Sequence, residues 1–466
     1  MAVRFNIFDS LYTAKLGMNA GQAGLSVTGQ NVANVNTDGY TRRQLILAPR
    51  RGLPFGGGVT IEGVKRYSDQ FATSRLIEEE NLLGNAKQRA EILTHVSDLF
   101  NDLDDTGIGA TLDNFFGAWR VLESNPTDAT ARQEILARGE ELCNTFNRVS
   151  NEIETVRQNT DSLLRAAVTE INVRTEEIAK LNDQIVMDVV QEVDISDLLD
   201  QRDQLVIEIA EYVDVTAIEN DAQQITLFME GGTPLVDGKN QSLLRVPTSA
   251  APGAAPIEYV AINGQVSDVT SIIEGGAIGG VLEVRDTLLP SFATDLDQVA
   301  YDLATAVNTQ HALGVGMDGL GGRDFFVTIG APAGAANVIA LNAAVVGDPD
   351  AVAAALNAAS LPGDNRNALA IADLPDQNLA GGGTQTFNEA YSTLVGEVGV
   401  ATRRANDESS MRQTAIEHVK TIRDSAAGVS LDEEMTNLIQ YQRAYQASAR
   451  VLSVIDNMIE NIIQLR

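Results

Sequence analysis

Two stretches at opposite ends of the chain constrain it most. Ile7, Leu11, Ala14, Met18, Gly21, Leu25, Thr28 and Val32 recur at alternating spacings of four and three. Leu431, Glu434, Leu438, Tyr441, Tyr445, Ser448, Leu452, Ile455, Ile459 and Ile462 do the same at the other end. That alternation puts every one of these side chains along one seam of a helix, where a partner helix can meet them. The seam predicts a first helix roughly 39 Å long and a last helix roughly 50 Å long. Small residues at 14, 21 and 28 allow a close backbone approach, and the tyrosines and isoleucines of the last helix supply the bulk. The two ends are therefore expected to pair with each other and with neighbouring copies, carrying the middle of the chain between them. Isolated helices of this kind are marginal in water, so ordering of the ends is expected to be coupled to assembly.

Proline punctuates what lies between. Prolines concentrate from Pro234 to Pro375, whereas residues 127–233 and everything after Pro375 contain none. Helix interiors exclude proline, so two long helical regions are predicted to flank an irregular, β-leaning middle. After the first helix, Asn34 to Tyr40 reads as a turn with Gly39 at its tight position, followed by a hairpin or extended excursion over 41–67. The longest predicted helix keeps one seam from Ile135 through Val156 and Leu163, then moves over by one residue from Leu164 to Val189. Ser196 to Val213 forms a further helix. From 214 to about 284 the period falls to two, with Ile225, Leu227 and Met229, then Ile257, Tyr259, Val260 and Ile262, separated by glycine turns. Helix returns over Asp286–Ala312, and residues 313–383, rich in Gly, Ala and Pro, resist assignment. A helix from about Thr386 to Ala427 stops at Gly428, and Ser430 with Glu433 supplies a capping box for the last helix. The expected fold class is α+β, mainly α, with paired terminal helices as a coiled-coil core (1–35 and 430–466). An elongated helical-bundle domain (36–213 and 285–429) and a small inserted β-rich domain (214–284) complete it.

Composition excludes several functions. The formal net charge of −31 argues against a nucleic-acid partner, since phosphate binding is driven by Lys and Arg. Within residues 1–60, however, Arg4, Lys15, Arg42, Arg43, Arg50 and Arg51 outnumber Asp9 and Asp38, a basic end on an acidic body. Cys143 is the one cysteine, expected in the core, so no intramolecular disulfide forms. No run approaches the ~18–20 apolar residues that span a bilayer, and no membrane insertion is expected. The N-terminus lacks a cleavable signal pattern, so the expectation is a cytoplasmic protein or one exported without cleavage.

Catalytic patterns are missing. His95, His311 and His418 are scattered and are expected at the surface or in grooves. Gly314 to Gly319 matches GxGxxG, but a helix precedes it where a strand is needed, so it reads as a turn. Asp102, Asp104 and Asp105 form a carboxylate cluster of the kind an acidic chain produces by chance. No cofactor or metal is called for, and a structural protein is favoured over an enzyme.

Several segments, in order along the chain, resemble the axial proteins of the bacterial flagellum. The run Asn31 to Arg42, with Asn34, Asn36, Thr37, Gly39, Tyr40 and Arg42, is similar to the signature shared by rod, hook and junction proteins. The run Asp197 to Leu205, with Asp200, Arg202 and Asp203, resembles the hook-associated family of the hook–filament junction more narrowly. Gly279-Gly280, Asp297-Gln298, Asn308, His311, Arg323 to Phe326, Gly363 to Asn367, Thr386 to Asn388 and Ser430 to Glu434 continue the match. One departure is the Ala- and Gly-rich stretch between Phe326 and Asn367, where longer members carry a large outer domain. The resemblance implies export, unfolded and without a cleaved signal, through the flagellar type III apparatus. It also implies an export chaperone on the C-terminal segment and an extracellular homo-oligomeric ring at the hook–filament junction. That ring would touch the hook protein on one side and a second junction protein on the filament side. The alternative within the same superfamily is another axial component, of the hook or distal rod; a cytoplasmic coiled-coil scaffold is the alternative outside it.

Overall fold

A computed structural model describes residues 7–50, 57–100 and 107–464. The first helix, α1 (Ile7–Ala33), leads into a hairpin of β1 (Arg43–Pro49) and β2 (Val59–Arg66). Helices α2 (Gln70–Leu99), α3 (Ile108–Ser124), α4 (Ala129–Val190) and α5 (Ser196–Ala210) follow. Two antiparallel meanders come next. One contains β3 (Val215–Glu219), β4 (Ile225–Met229), β5 (Thr233–Asp237) and β6 (Asn240–Gln241); the other contains β7 (Leu243–Arg245), β8 (Glu258–Val260) and β9 (Val266–Asp268). Helix α6 (Gly276–Glu283) runs through a π turn at Val284–Leu288 into α7 (Leu289–Ala312). The short α8 (Ala335–Val338) and α9 (Arg366–Ala372) lie in an otherwise irregular wrap. The long α10 (Phe387–Ala427) and α11 (Leu431–Gln464) close the chain.

Local chemistry explains where these helices start. Asp69 Oδ1 accepts the Phe71 and Ala72 N–H groups ahead of α2, and Asp128 accepts that of Thr130 ahead of α4. Thr386 and Glu389 form a reciprocal capping box on α10. The box expected on α11 is replaced: the Glu433 carboxylate is taken by Arg42 at 2.7 Å.

The 62 residues of α4, about 93 Å of helix, form the spine. Its buried strip runs Ile135, Leu142, Phe146, Val149, Ile153, Val156, then Thr160, Leu164 and Val168, and on to Ile185. The four-residue steps through Thr160 correct the expected seam, because a straight 3.6-residue helix must slip phase against a 4-3 repeat. Leu163 and Val189 accordingly fall outside, each 39% exposed.

Asparagines on this helix hold the β region. Asn182 accepts the Ile225 N–H and donates to the carbonyls of Ile225 and Gly238; Asn172 bonds both backbone groups of Leu244. Buried Ile225, Leu227, Met229, Ile257 and Tyr259 follow the two-residue period, but Ile262 is exposed. The β region also ends earlier than expected. Residues 276–283, assigned from sequence to the inserted domain, are helical and pack against α2, which two adjacent glycines, Gly279 and Gly280, had obscured.

The core is richest where α3, α7 and the wrap meet. Phe115, Phe116, Trp119, Phe325 and Phe326 interlock with ring centroids 4.9–6.4 Å apart. His311 belongs to this cluster. It is 0% exposed, which corrects the expectation of a surface or groove residue; His95 and His418 are at the surface. Cys143 is buried and burial pushes its thiol up to about 12. The Gly314–Gly319 segment is a closed turn, with Gly316 N–H on the Leu320 carbonyl and Asp318 paired to Arg323. Asp102, Asp104 and Asp105 lie outside the described residues, as do Arg4 and Arg51.

Phe115 touches four aromatic neighbours with no solvent exposure, so Phe115→Ala should cost about 3–5 kcal/mol of unfolding free energy, read by urea denaturation.

Candidate assembly interface

Helices α1 and α11 lie antiparallel, and small residues set their spacing. Gly17 faces Ser448, Gly21 faces Tyr445, and Gly24 faces Tyr441. A Cβ on Gly24 would sit 2.4 Å from the Tyr441 ring, and one on Gly21 would sit 3.1 Å from Tyr445 Cβ. At 24 only glycine leaves room for the Tyr441 ring, and at 21 a side chain would crowd the Tyr445 backbone. The strip at the centre of α1 is therefore Ala14, Gly17, Gly21, Gly24, Thr28 and Asn31. Ile7, Leu11, Met18, Leu25 and Val32 flank it, each half-buried. The expected seam and the observed one share 14, 21 and 28, with the larger alternate residues displaced to the edge by the tyrosines.

On α11 the strip against α1 comprises Glu434, Leu438, Tyr441, Tyr445, Ser448, Leu452, Ile455 and Ile459, all buried or half-buried. Apolar side chains also stand on its other faces, among charged ones such as Arg443 and Glu460. Leu431, Met435 and Ile439 in the first turns, and Val451, Val454, Met458 and Ile462 towards the end, are 44–60% exposed. The helix thus carries far more hydrophobic surface than its partner in the same chain covers.

At the base of this pair, residues from two distant segments converge. Thr41 and Asp200 lie 159 positions apart, yet Thr41 Oγ1 donates to Asp200 Oδ1 at 2.6 Å. Asp200 also accepts from Arg43 at 3.2 Å and Arg66 at 2.7 Å; Arg66 reaches Asp203 at 2.7 Å, and Arg43 pairs with Asp197. Burial works against both guanidinium charges, but Asp197 raises Arg43 and Asp203 with Asp200 raises Arg66, so both stay above the usual value. Arg202 points elsewhere. Buried beside the β3–β4 turn, it donates to the Gln223 carbonyl and pairs with Glu219, and burial lowers its value.

Asn31, fully buried, uses its whole amide. Nδ2 donates to the Arg43 carbonyl at 2.8 Å and to Glu434 at 3.1 Å; Oδ1 accepts from Tyr40 Oη at 2.9 Å and Arg43 N at 3.1 Å. Arg42 Nε holds Glu434 at 2.9 Å. The Arg43 guanidinium lies 4.8 Å from the Tyr40 ring centroid. Burial pushes the Tyr40 hydroxyl up to about 12 against the pull of Arg43, so it remains a donor to Asn31. The rest of the motif shapes the turn: Asn34 accepts from Thr37 Oγ1 at 3.2 Å, and Gly39 has φ 78° with Gln204 packed against it. Asn36 is exposed. The sequence places Glu434 in the α11 seam, Asn31 and Thr41 in the motif run and Arg43 in the basic end, but does not join them with Arg66 into one site; the complementary signs of the arginines and the Asp197–Asp203 run are the available signal.

Among the described residues no group of three or more His, Cys, Asp or Glu could hold a metal, and no helix is long and apolar enough to cross a membrane.

The single native thiol is buried, so engineered cysteines report cleanly. Gly17→Cys with Ser448→Cys places the Cβ atoms about 3.4 Å apart and should give an intramolecular disulfide on mild oxidation, seen as faster gel migration. Adding Gly24→Leu should suppress the crosslink, and adding Gly29→Ala, which meets nothing within 4 Å, should not. At the joint, Asp200→Asn leaves the buried Arg43 and the half-buried Arg66 short of charge and should cost about 3 kcal/mol by chemical denaturation. Asp197→Asn should cost under about 1 kcal/mol, because the Asp197 side chain is 74% exposed.

Comparison with known proteins places this architecture. Residues 93–326, half of the chain, match the family described as Flagellar hook-associated protein FlgK helical domain. Residues 11–41 match Flagella basal body rod protein, and 424–465 match Flagellar basal body rod FlgEFG protein C-terminal. Flagellar hook-associated protein 1 of Bacillus subtilis is 29% identical over 98% of both chains. That of Salmonella typhimurium is 29% identical over 97% of this chain and 99% of its own. The flagellar hook junction protein FlgK from Burkholderia pseudomallei has a similar fold, with TM-score 0.65 at 18% identity, covering 76% of this chain and 100% of its own. The chain belongs to the FlgK family of flagellar hook-associated proteins, structural components of the hook–filament junction rather than enzymes.

Proposed function

We propose that this chain builds a homo-oligomeric ring at the junction by self-assembly through α1 and α11. The observation that carries the reading is the uncovered apolar surface of α11. The inner strip is covered by α1, whereas Val451, Val454, Met458 and Ile462 stay 49–60% exposed. Burying such side chains against neighbouring copies is worth about 1.5–3 kcal/mol each, which favours the assembled state. The assembly residues are Ile7, Leu11, Met18, Leu25 and Val32 on α1, with Leu431, Leu438, Tyr441, Tyr445, Leu452, Ile455, Ile459 and Ile462 on α11. In this reading 1–35 with 430–466 form the core unit, 36–213 with 285–429 the helical axial unit, and 214–284 an insert.

The ring meets the hook protein on one face and a second junction protein on the filament face. The subunit reaches that extracellular position unfolded, through the type III export apparatus, with no cleaved signal. A chaperone holds the C-terminal segment beforehand and covers the same apolar surface. A chain whose only thiol is a core cysteine suits such a route, since no disulfide has to be reduced for passage.

Val454→Asp tests the assignment without touching the inner strip. The variant should be absent from purified flagella and abolish motility, while the Gly17→Cys/Ser448→Cys crosslink still forms. Incorporation of Val454→Asp at the wild-type level would remove the outer face of α11 from the account.

A further inference from the structure

His311 ends α7 and holds two separate stretches of the wrap. Its Nδ1 lies 2.7 Å from the Arg323 carbonyl, which can only accept, so Nδ1 carries the proton. Nε2 is then a bare acceptor and takes the Ala353 N–H at 3.0 Å. The run Val352–Ala355 is buried and held by backbone and side chains together; the Ala354 carbonyl takes the Asn367 and Ala368 N–H groups at 3.0 and 3.1 Å. Arg132 donates to the Val352 carbonyl, Asn367 donates to the Ala353 carbonyl at 2.7 Å, and Ala355 pairs with Val315. Of these fasteners, only the histidine can change its donor count at moderately acidic pH.

We propose that His311 is an acid-operated fastener: a proton on Nε2 sets a second donor against the Ala353 N–H and loosens the Val352–Ala355 run from the end of α7, leaving the helical frame folded and the Asn308 and Asp297 tethers of the wrap in place.

The surroundings oppose that proton. Trp119 of α3 and Phe325 of the wrap pack their rings 6.1 and 5.5 Å from the imidazole. From α4 comes the Arg132 guanidinium at the neighbouring carbonyl, facing Asp350, and from the wrap come Arg323, tied to Asp318, and Asp324. Burial is the main cause that holds the imidazole down to about 4; the Arg323 charge acts the same way, and the Arg323 carbonyl and Asp324 act against it. The folded state therefore binds its proton less readily than the unfolded chain, whose imidazole titrates near 6.5. The fastening is complete above about pH 6.5 and is lost as pH falls towards about 4.

Trp119 is the chain's one tryptophan and sits beside the imidazole, so its fluorescence in the full-length protein reads the event directly. On titration from about pH 7 to about pH 3.5, emission should shift to the red before the far-UV helix signal falls. His311→Asn supplies a donor and an acceptor that do not titrate, and should lower the emission midpoint by about one pH unit. In 13C-histidine NMR of the wild type, the His311 imidazole, assigned by its loss in His311→Asn, should titrate together with the emission change. Three results would overturn the proposal: superimposable wild-type and variant emission curves, simultaneous loss of emission and helix signal, or a His311 imidazole titrating near 6.5. Should His311→Asn fail to fold at neutral pH, the NMR titration of the wild type decides alone.

Discussion

The terminal hairpin is joined to the body through one compact set of charges, and the rest of the architecture depends on that joint. Asp200 gathers Thr41, Arg43 and Arg66; Asn31 passes the connection through the Arg43 backbone to Glu434, which Arg42 also holds. The Arg42 N–H is bound in turn to the Ala427 carbonyl at the end of α10. Four segments from both ends and the middle of the chain thus meet in a space where each buried charge has a partner. Removing one partner leaves an uncompensated charge, a far larger penalty than losing an exposed pair. Beyond the joint, α1 packs against α11 and the small hairpin.

That arrangement separates two jobs along the same helices. Inside the pair, glycine and alanine on α1 accept the tyrosines of α11, and helix spacing is set by shape. Outside, α11 keeps valines, methionines and isoleucines in water, which a chain working alone has no reason to do. A molecule with a satisfied inner strip and an unsatisfied outer one suits a part that is completed by neighbours.

Much of this was legible in the residues. The 4-3 repeats marked both terminal helices, the caps at Thr386 and Gly428 bounded α10, and the alternation of Ile225, Leu227 and Met229 marked a strand, because in each case one periodic face meets one partner. The less legible parts depend on contacts far apart in sequence. Nothing local says that Asp200 faces Arg43 and Arg66, or that Met18 yields the centre of the seam to Gly17. His311 looked isolated because its partners are backbone groups, which leave no pattern in side chains. The wrap over 313–383 has neither period, since buried runs such as Val352–Ala355 are held by the Arg132, His311 and Asn367 side chains and by isolated backbone bonds to Val315, Asn367 and Ala368 in place of a sheet. The helix at 276–283 was hidden by its glycines, and the phase slip at Thr160 by a threonine in an apolar strip.

A density map of an assembled hook–filament junction tests the central claim most directly. The account predicts that Tyr445 still rests on Gly21, that Asp200 still holds Arg43 and Arg66, and that Val454 and Met458 are buried against adjacent subunits. A map in which α1 and α11 have parted, or in which Val454 and Met458 face water in the finished ring, would contradict it.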